Sequence, residues 1–97
     1  MSAVGLVLHP TMAVDRSVDT IVAGARLRAL RVLAREIDRD RVPVEVDIVP
    51  EPQFLADMDG VIALGGDGTM LGAMRLVIGR PVPVLGVNHG TWASSSR

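Results

Sequence analysis

Val61-Ile62-Ala63-Leu64-Gly65-Gly66-Asp67-Gly68-Thr69-Met70-Leu71 joins a short unbroken apolar run to a glycine-rich turn and then to residues that favour a helix. An apolar run with no polar residue alternating through it is the pattern of a strand covered on both faces, as in a parallel sheet. That strand is taken as residues 60–64. The helix is predicted over residues 69–78, stopped by Gly79 and Pro81.

Working outward, Val4-Gly5-Leu6-Val7-Leu8 repeats the buried-strand pattern and ends at His9-Pro10, where the proline cannot donate to a ladder. Pro83-Val84-Leu85-Gly86-Val87 is another such run. Between them Val18, Ile21, Val22, Ala25, Ala29, Leu30, Leu33 and Ile37 recur at three- and four-residue spacing, which predicts one amphipathic helix over residues 17–39. Arg28, Arg31 and Arg35 fall on its other face, and Asp15 and Asp19 near its start with Arg35 and Arg39 near its end suit the helix dipole. Residues 42–49 are rich in β-branched side chains and carry Pro43 and Pro50, so they read as a strand near a sheet edge, and residues 51–58 as a short helical turn.

Strands separated by helices pair in parallel through right-handed crossovers. The expected architecture is therefore α/β, an open and mostly parallel sheet of about four strands with flanking helices, over residues 1–90. The remainder, Thr91-Trp92-Ala93-Ser94-Ser95-Ser96-Arg97, shows no periodicity and is expected to be an irregular tail. Ligands of such sheets sit beyond the carboxyl ends of the strands. His9-Pro10, Gly65-Gly66-Asp67-Gly68 and Asn88-His89-Gly90 are thus expected to converge on one crevice.

Composition narrows the function. Hydrophobic residues make up 48% and charged residues 22% of the 97, which is the balance of a folded domain rather than a disordered chain. A net charge of −1 supplies no general field for nucleic acid or an anionic membrane, and one Trp, one Phe and no Tyr leave almost no surface for stacking bases. Without cysteine there are neither disulfides nor thiolate metal sites. The first apolar run is too short for a signal sequence or a membrane span, so a cytoplasmic protein without nucleic-acid or membrane partners is expected.

The glycine loop carries the chemistry. Gly65 and Gly66 let the backbone turn sharply and approach a ligand, and Gly68 keeps the far side open. A helix that follows directly points its unpaired N–H groups and positive dipole end at the same place, a physical basis for holding phosphate. Asp67 stands out, since a carboxylate in a phosphate cradle repels its ligand unless it meets a metal ion or a hydroxyl. It can accept the proton of an attacking hydroxyl, orient that hydroxyl, or help to place magnesium. The bland alternative is a strand-to-helix turn in which Asp67 merely caps backbone N–H groups. Neither a Walker lysine nor G-x-G-x-x-G is present.

Residues 61–71, with Pro83-Val84-Leu85-Gly86-Val87-Asn88 after them, resemble the first half of an NAD kinase: a strand, a Gly-Gly-Asp-Gly-Thr loop, a helix, then a strand ending in Gly-Val-Asn. The opening strand running into His-Pro is also similar to bacterial members of that family. The resemblance implies phosphorylation of the adenosine-ribose 2′-hydroxyl of NAD, with ATP or polyphosphate as donor and Mg2+ or another divalent cation as cofactor. It implies a Rossmann-like fold, Asp67 as the catalytic aspartate, and a nucleotide site drawn from Gly65, Gly66, Gly68, Thr69, Asn88 and His89. NAD and ATP are then the ligands, and a homo-oligomer is in keeping with the family.

The family pattern continues after Gly-Val-Asn with Leu-Gly, two variable residues and Gly-Phe-Leu, then a larger β-rich domain bearing an Asn-Glu or Asn-Asp pair that contacts NAD. This sequence has His89-Gly90-Thr91-Trp92-Ala93-Ser94 instead, without that pair or a second glycine-rich segment. The chain is therefore expected to be an N-terminal portion that binds nucleotide more than it turns it over. Two alternatives are a fragment of a diacylglycerol- or sphingosine-type lipid kinase, which also shows Gly-Gly-Asp-Gly-Thr, and a non-catalytic module for nucleotide binding or association. Met70-Leu71-Gly72 and Asn88 depart from the lipid-kinase pattern. Phosphofructokinases usually carry Ser where Thr69 stands. His9 reads as a loop residue, two histidines make no metal site, and the arginines at 26, 28, 31, 35 and 39 read as a solvated helix face away from the crevice.

Overall fold

The computed structural model describes residues 2–11, 13–88 and 91–95. Ten elements follow one another: β1 (Ala3–Leu8), α1 (Asp15–Leu27), β2 (Arg31–Arg35), a 3-10 helix (Glu36–Arg41), β3 (Asp47–Val49), α2 (Glu51–Asp57), β4 (Gly60–Leu64), α3 (Asp67–Leu76), β5 (Val84–Asn88) and β6 (Thr91–Ser95). The strands form one sheet in the order β3-β2-β1-β4-β5-β6, parallel throughout except for β6, which runs antiparallel to β5.

The apolar runs of β1 and β4 are continuous because both faces of the sheet are covered. On one side Leu6, Leu8, Val32, Ala34 and Leu64 pack with Val18, Ile21 and Ala25 of α1. On the other Val7, Leu33, Val61 and Ala63 pack with Phe54 of α2 and with Ala73 of α3. Gly5 belongs to the second face, where an added Cβ would lie 2.6 Å from the Phe54 ring. The glycine therefore admits a fully buried aromatic ring directly onto the central strand.

The predicted helix over residues 17–39 is divided in the structure. α1 ends at Leu27, and the chain reverses through Ala29 at φ 55°. The Leu30 N–H donates to Ala25 O at 2.9 Å and the Ala29 N–H to Arg26 O at 3.3 Å, the paired bonds of a Schellman helix end. Val32, Leu33 and Ala34 then form the buried middle of β2, while Ile37 is 75% exposed on the 3-10 helix. The apolar spacing ran on past the helix because an interior parallel strand is apolar at every position and so includes the helical ones.

Four other expectations change. The strand over residues 42–49 shortens to Asp47–Val49 at the sheet edge, and the sheet holds six strands rather than about four. The expected irregular tail contains β6, paired from Asn88↔Thr91 to Val84↔Ser95. α3 starts at Asp67, two residues before the predicted start.

Candidate functional site at the carboxyl ends of β1, β2 and β4

Strand order reverses between β1 and β4: the chain leaves β1 for β2 on one side and β4 for β5 on the other. Two crossovers diverging from adjacent strands open a crevice at their carboxyl ends. The strand ends are tied there, the His9 N–H donating to Leu64 O at 2.7 Å and the Gly65 N–H to Val87 O at 3.0 Å.

A cavity of about 560 Å³ lies at this point, within the roughly 300–1,000 Å³ range of small-molecule sites. Val7, Leu8, His9 and Pro10 from the end of β1 line it, with Gly66, Gly68 and Thr69 of the loop, Gly72 and Leu76 of α3, and Arg35 from the end of β2. The first two of the three predicted loops thus meet at one cavity. Asn88 closes β5 beside them, while His89 and Gly90 lie outside the described residues.

The loop geometry follows from its glycines. Gly65 has φ 151°, and a Cβ there would come within 2.6 Å of Thr69 Oγ1 and 2.8 Å of His9 Cβ. It is the pivot that lets β4 turn into α3 against the end of β1. Gly66 and Gly68 meet nothing within 4 Å of an added Cβ, so their backbone faces open space. No side chain caps α3, and the first helical bond runs from the Met70 N–H to Gly66 O at 3.1 Å. The N–H groups of Asp67, Gly68 and Thr69 therefore precede the helical ladder. Thr69 is 8% exposed and its Oγ1 is buried without a hydrogen-bond partner. Asp67 is exposed on the first turn of α3. A lone exposed carboxylate suits a magnesium ion that keeps most of its ligands from water and phosphate; among the described residues no three His, Asp or Glu side chains cluster as a ready metal site.

Of the arginines expected on one helix face, Arg26 and Arg28 do lie exposed on the last turn and at the end of α1, Arg39 is on the 3-10 helix, and Arg31 and Arg35 belong to β2. Arg31 and Arg35 bracket β2, and Arg35 is one of the cavity's walls. Behind it the 3-10 helix buries Asp38, 4% exposed, between Arg35 Nη2 at 4.0 Å and Arg41 Nη1 at 3.9 Å. Burial raises the Asp38 pKa, and the attraction of Arg35 and Arg41 opposes that rise. Arg41 Nη1 also donates to His9 O at 2.6 Å, tying this cluster to the end of β1. His9 itself accepts the Thr11 N–H on Nδ1 at 3.1 Å, so in the neutral ring the proton sits on Nε2. Sequence reasoning missed Arg35 because its strand was absorbed into a helix; the one available signal was a pair of arginines flanking three apolar residues.

Among the described residues no helix is long and apolar enough to cross a membrane. The family model of the ATP-NAD kinase N-terminal domain matches residues 11–96. NAD kinase 2 of Streptomyces coelicolor is 42% identical over 83 residues, which cover 80% of this chain and 27% of that relative. The NAD kinase of Gemmatimonas aurantiaca is 61% identical over 33 residues, 34% of this chain and 11% of that relative. The chain thus spans well under a third of the curated relatives it matches. Among solved structures, yeast NADH kinase complexed with NADH superposes with a TM-score of 0.69 over 94% of this chain and 30% of that chain, at 22% identity, a likeness of fold. The expected resemblance is therefore met over nearly the whole chain, in preference to the lipid-kinase alternative: this chain belongs to the ATP-NAD kinase family, as its N-terminal domain.

Proposed function

We propose that residues 1–90 are the nucleotide-binding N-terminal part of an NAD kinase and that the Gly65–Thr69 turn holds donor phosphates for transfer to the 2′-hydroxyl of NAD in the cytoplasm. The observation that carries this reading is the side-chain-free backbone at the cavity, with Gly66 at the N-cap of α3 and Gly68 in its first turn, where the N–H groups precede the helical ladder. Phosphoryl transfer asks mainly for positioning and charge stabilisation, and a helix N-terminus with open glycines offers both. ATP is the donor in this reading, and a magnesium ion accompanying it would offset the charge of its phosphates.

Asp67 is the residue of this chain that deals with the acceptor. Exposed at the start of α3, it is able to take the proton of an approaching hydroxyl or to orient it, and its carboxylate would help to hold a magnesium ion. Asn88 and His89 are assigned to the same nucleotide site.

Two measurements test the proposal. Amide NMR titrations of the full chain with magnesium ATP, NAD and pyrophosphate are expected to shift resonances at residues 65–69; an unresponsive loop sinks the binding assignment. NADP formation is expected to fall by about 10²–10⁴-fold in Asp67→Asn while ATP still shifts the loop. Unchanged turnover would rule Asp67 out as the catalytic group.

A further inference from the structure

Arg35 is unusual for an arginine so well covered. Its side chain is 16% exposed, and its guanidinium carbon lies 5.9 Å from the centroid of the Phe54 ring. A cation that has lost most of its water is ordinarily repaid by close, two-pronged contacts to a carboxylate. Arg35 has none. Nη1 reaches Glu51 Oε1 at 3.4 Å, Nη2 stands 4.0 Å from Asp38 Oδ2, and Nε is buried without a partner. Asp38 Oδ2 also lacks a hydrogen bond, so the two groups face each other without bonding. Of the five N–H donors of the guanidinium, a single one is used among the described residues, on a glutamate whose side chain is 56% exposed.

This spare donor capacity sits on the cavity wall. Arg35 is the single Lys or Arg among the cavity's described lining residues, and it comes from the end of β2, whereas the glycine loop comes from the end of β4. β1 lies between those two strands. Two strand spacings separate them by about 10 Å, a span suited to several linked phosphates. Thr69 Oγ1 is likewise buried and unpartnered on the loop side.

We propose that Arg35 is the second anchor of the donor's phosphate chain, its guanidinium holding phosphate oxygens at the β2 end while the loop N–H groups hold those at the α3 end. This rests on the assignment of the loop as the donor-phosphate cradle. Asp38 is then a positioning residue: it keeps the guanidinium at the wall without consuming its donors. The chemistry serves inorganic polyphosphate and a nucleoside triphosphate alike.

Calorimetric titration of the full chain with orthophosphate, tripolyphosphate and ATP, each with magnesium, tests the assignment. Wild type is expected to bind tripolyphosphate more tightly than orthophosphate. Arg35→Gln is expected to weaken tripolyphosphate and ATP by at least about tenfold, the scale of a lost charged hydrogen bond, and to leave orthophosphate within about twofold, since one phosphate engages the loop alone. Arg35→Lys keeps the charge without the fork and is expected to fall between. Because Arg35→Gln strands a buried carboxylate, Arg35→Gln/Asp38→Asn is measured beside it, with amide spectra reporting the fold. Equal weakening of tripolyphosphate and ATP means that the phosphates alone are read; loss confined to ATP overturns the proposal in favour of nucleoside contact. Wild-type tripolyphosphate affinity in the Arg35 variants, together with loss in Gly66→Val, overturns the role of Arg35 and leaves the loop assignment standing. Failure of wild type to bind any of the three overturns both.

Discussion

Replacing Gly65 by alanine places a methyl group where the loop has no room. Its Cβ would sit 2.6 Å from Thr69 Oγ1 and 2.8 Å from His9 Cβ, well inside the roughly 3.5–4.0 Å of favourable contact. Neither neighbour moves freely: Thr69 is 8% exposed, and the His9 backbone is bonded to Leu64 at 2.7 Å. The backbone adds its own cost, because φ at Gly65 is 151°. Overpacking costs about 1–3 kcal/mol and an unfavourable φ about 1–3 kcal/mol, so the variant loses on the order of 2–6 kcal/mol. A domain of this size has about 5–15 kcal/mol in total. With a urea slope of about 1–3 kcal/mol per molar, mid-range values put the drop in the unfolding midpoint on the order of 2 M. Gly72 supplies the control, since an added Cβ inside α3 meets nothing within 4 Å. Gly72→Ala is expected to gain roughly 0.5–1 kcal/mol from helix propensity. Urea unfolding followed by circular dichroism reads both. A Gly65→Ala variant within about 0.5 kcal/mol of wild type, the spread of an inconsequential substitution, would refute the close packing of the loop.

Two further outcomes are expected from the region that the apolar spacing disguised. Ala29 holds a left-handed conformation at the end of α1 and is exposed, so Ala29→Gly should raise stability by roughly 0.5–1 kcal/mol in the same urea assay; a loss would contradict the Schellman end. Burial raises the Asp38 pKa above 3.8, against the pull of Arg35 and Arg41, so the folded state holds that proton more tightly than the unfolded chain. Its contribution is complete below pH 3.8 and is lost as pH rises through the raised value. Asparagine does not ionise, so unfolding curves at successive pH values above 3.8 should show Asp38→Asn gaining on wild type as pH rises. A difference that does not change with pH would mean that the carboxylate is not desolvated as the structure has it.

β1, β4, the glycine turn, α3 and β5 are readable from the residues alone, because each is announced by residues with few alternatives. An unbroken apolar run followed by glycines can be little else than a buried strand entering a turn, and Gly79 and Pro81 stop the helix that follows. Asp67 stands out in the sequence for a similar reason, as a single acid among glycines that the backbone needs, and its catalytic role is a proposal. Tertiary structure decided what spacing left ambiguous. Over residues 28–41 an interior strand mimics a helical stripe, and the helix ends on Ala29, not on the glycine that usually marks such an end. Only the pairing of β2 between β1 and β3 removes Val32, Leu33 and Ala34 from that helix, and with them Arg31 and Arg35 leave the helix face. Arg35 reaches the cavity because its strand lies one place from β1, which is a property of strand order and not of local sequence. β6 was hidden in the same way, since Thr91-Trp92-Ala93-Ser94-Ser95 shows no strand pattern and becomes a strand only where the edge of β5 offers a partner for its backbone.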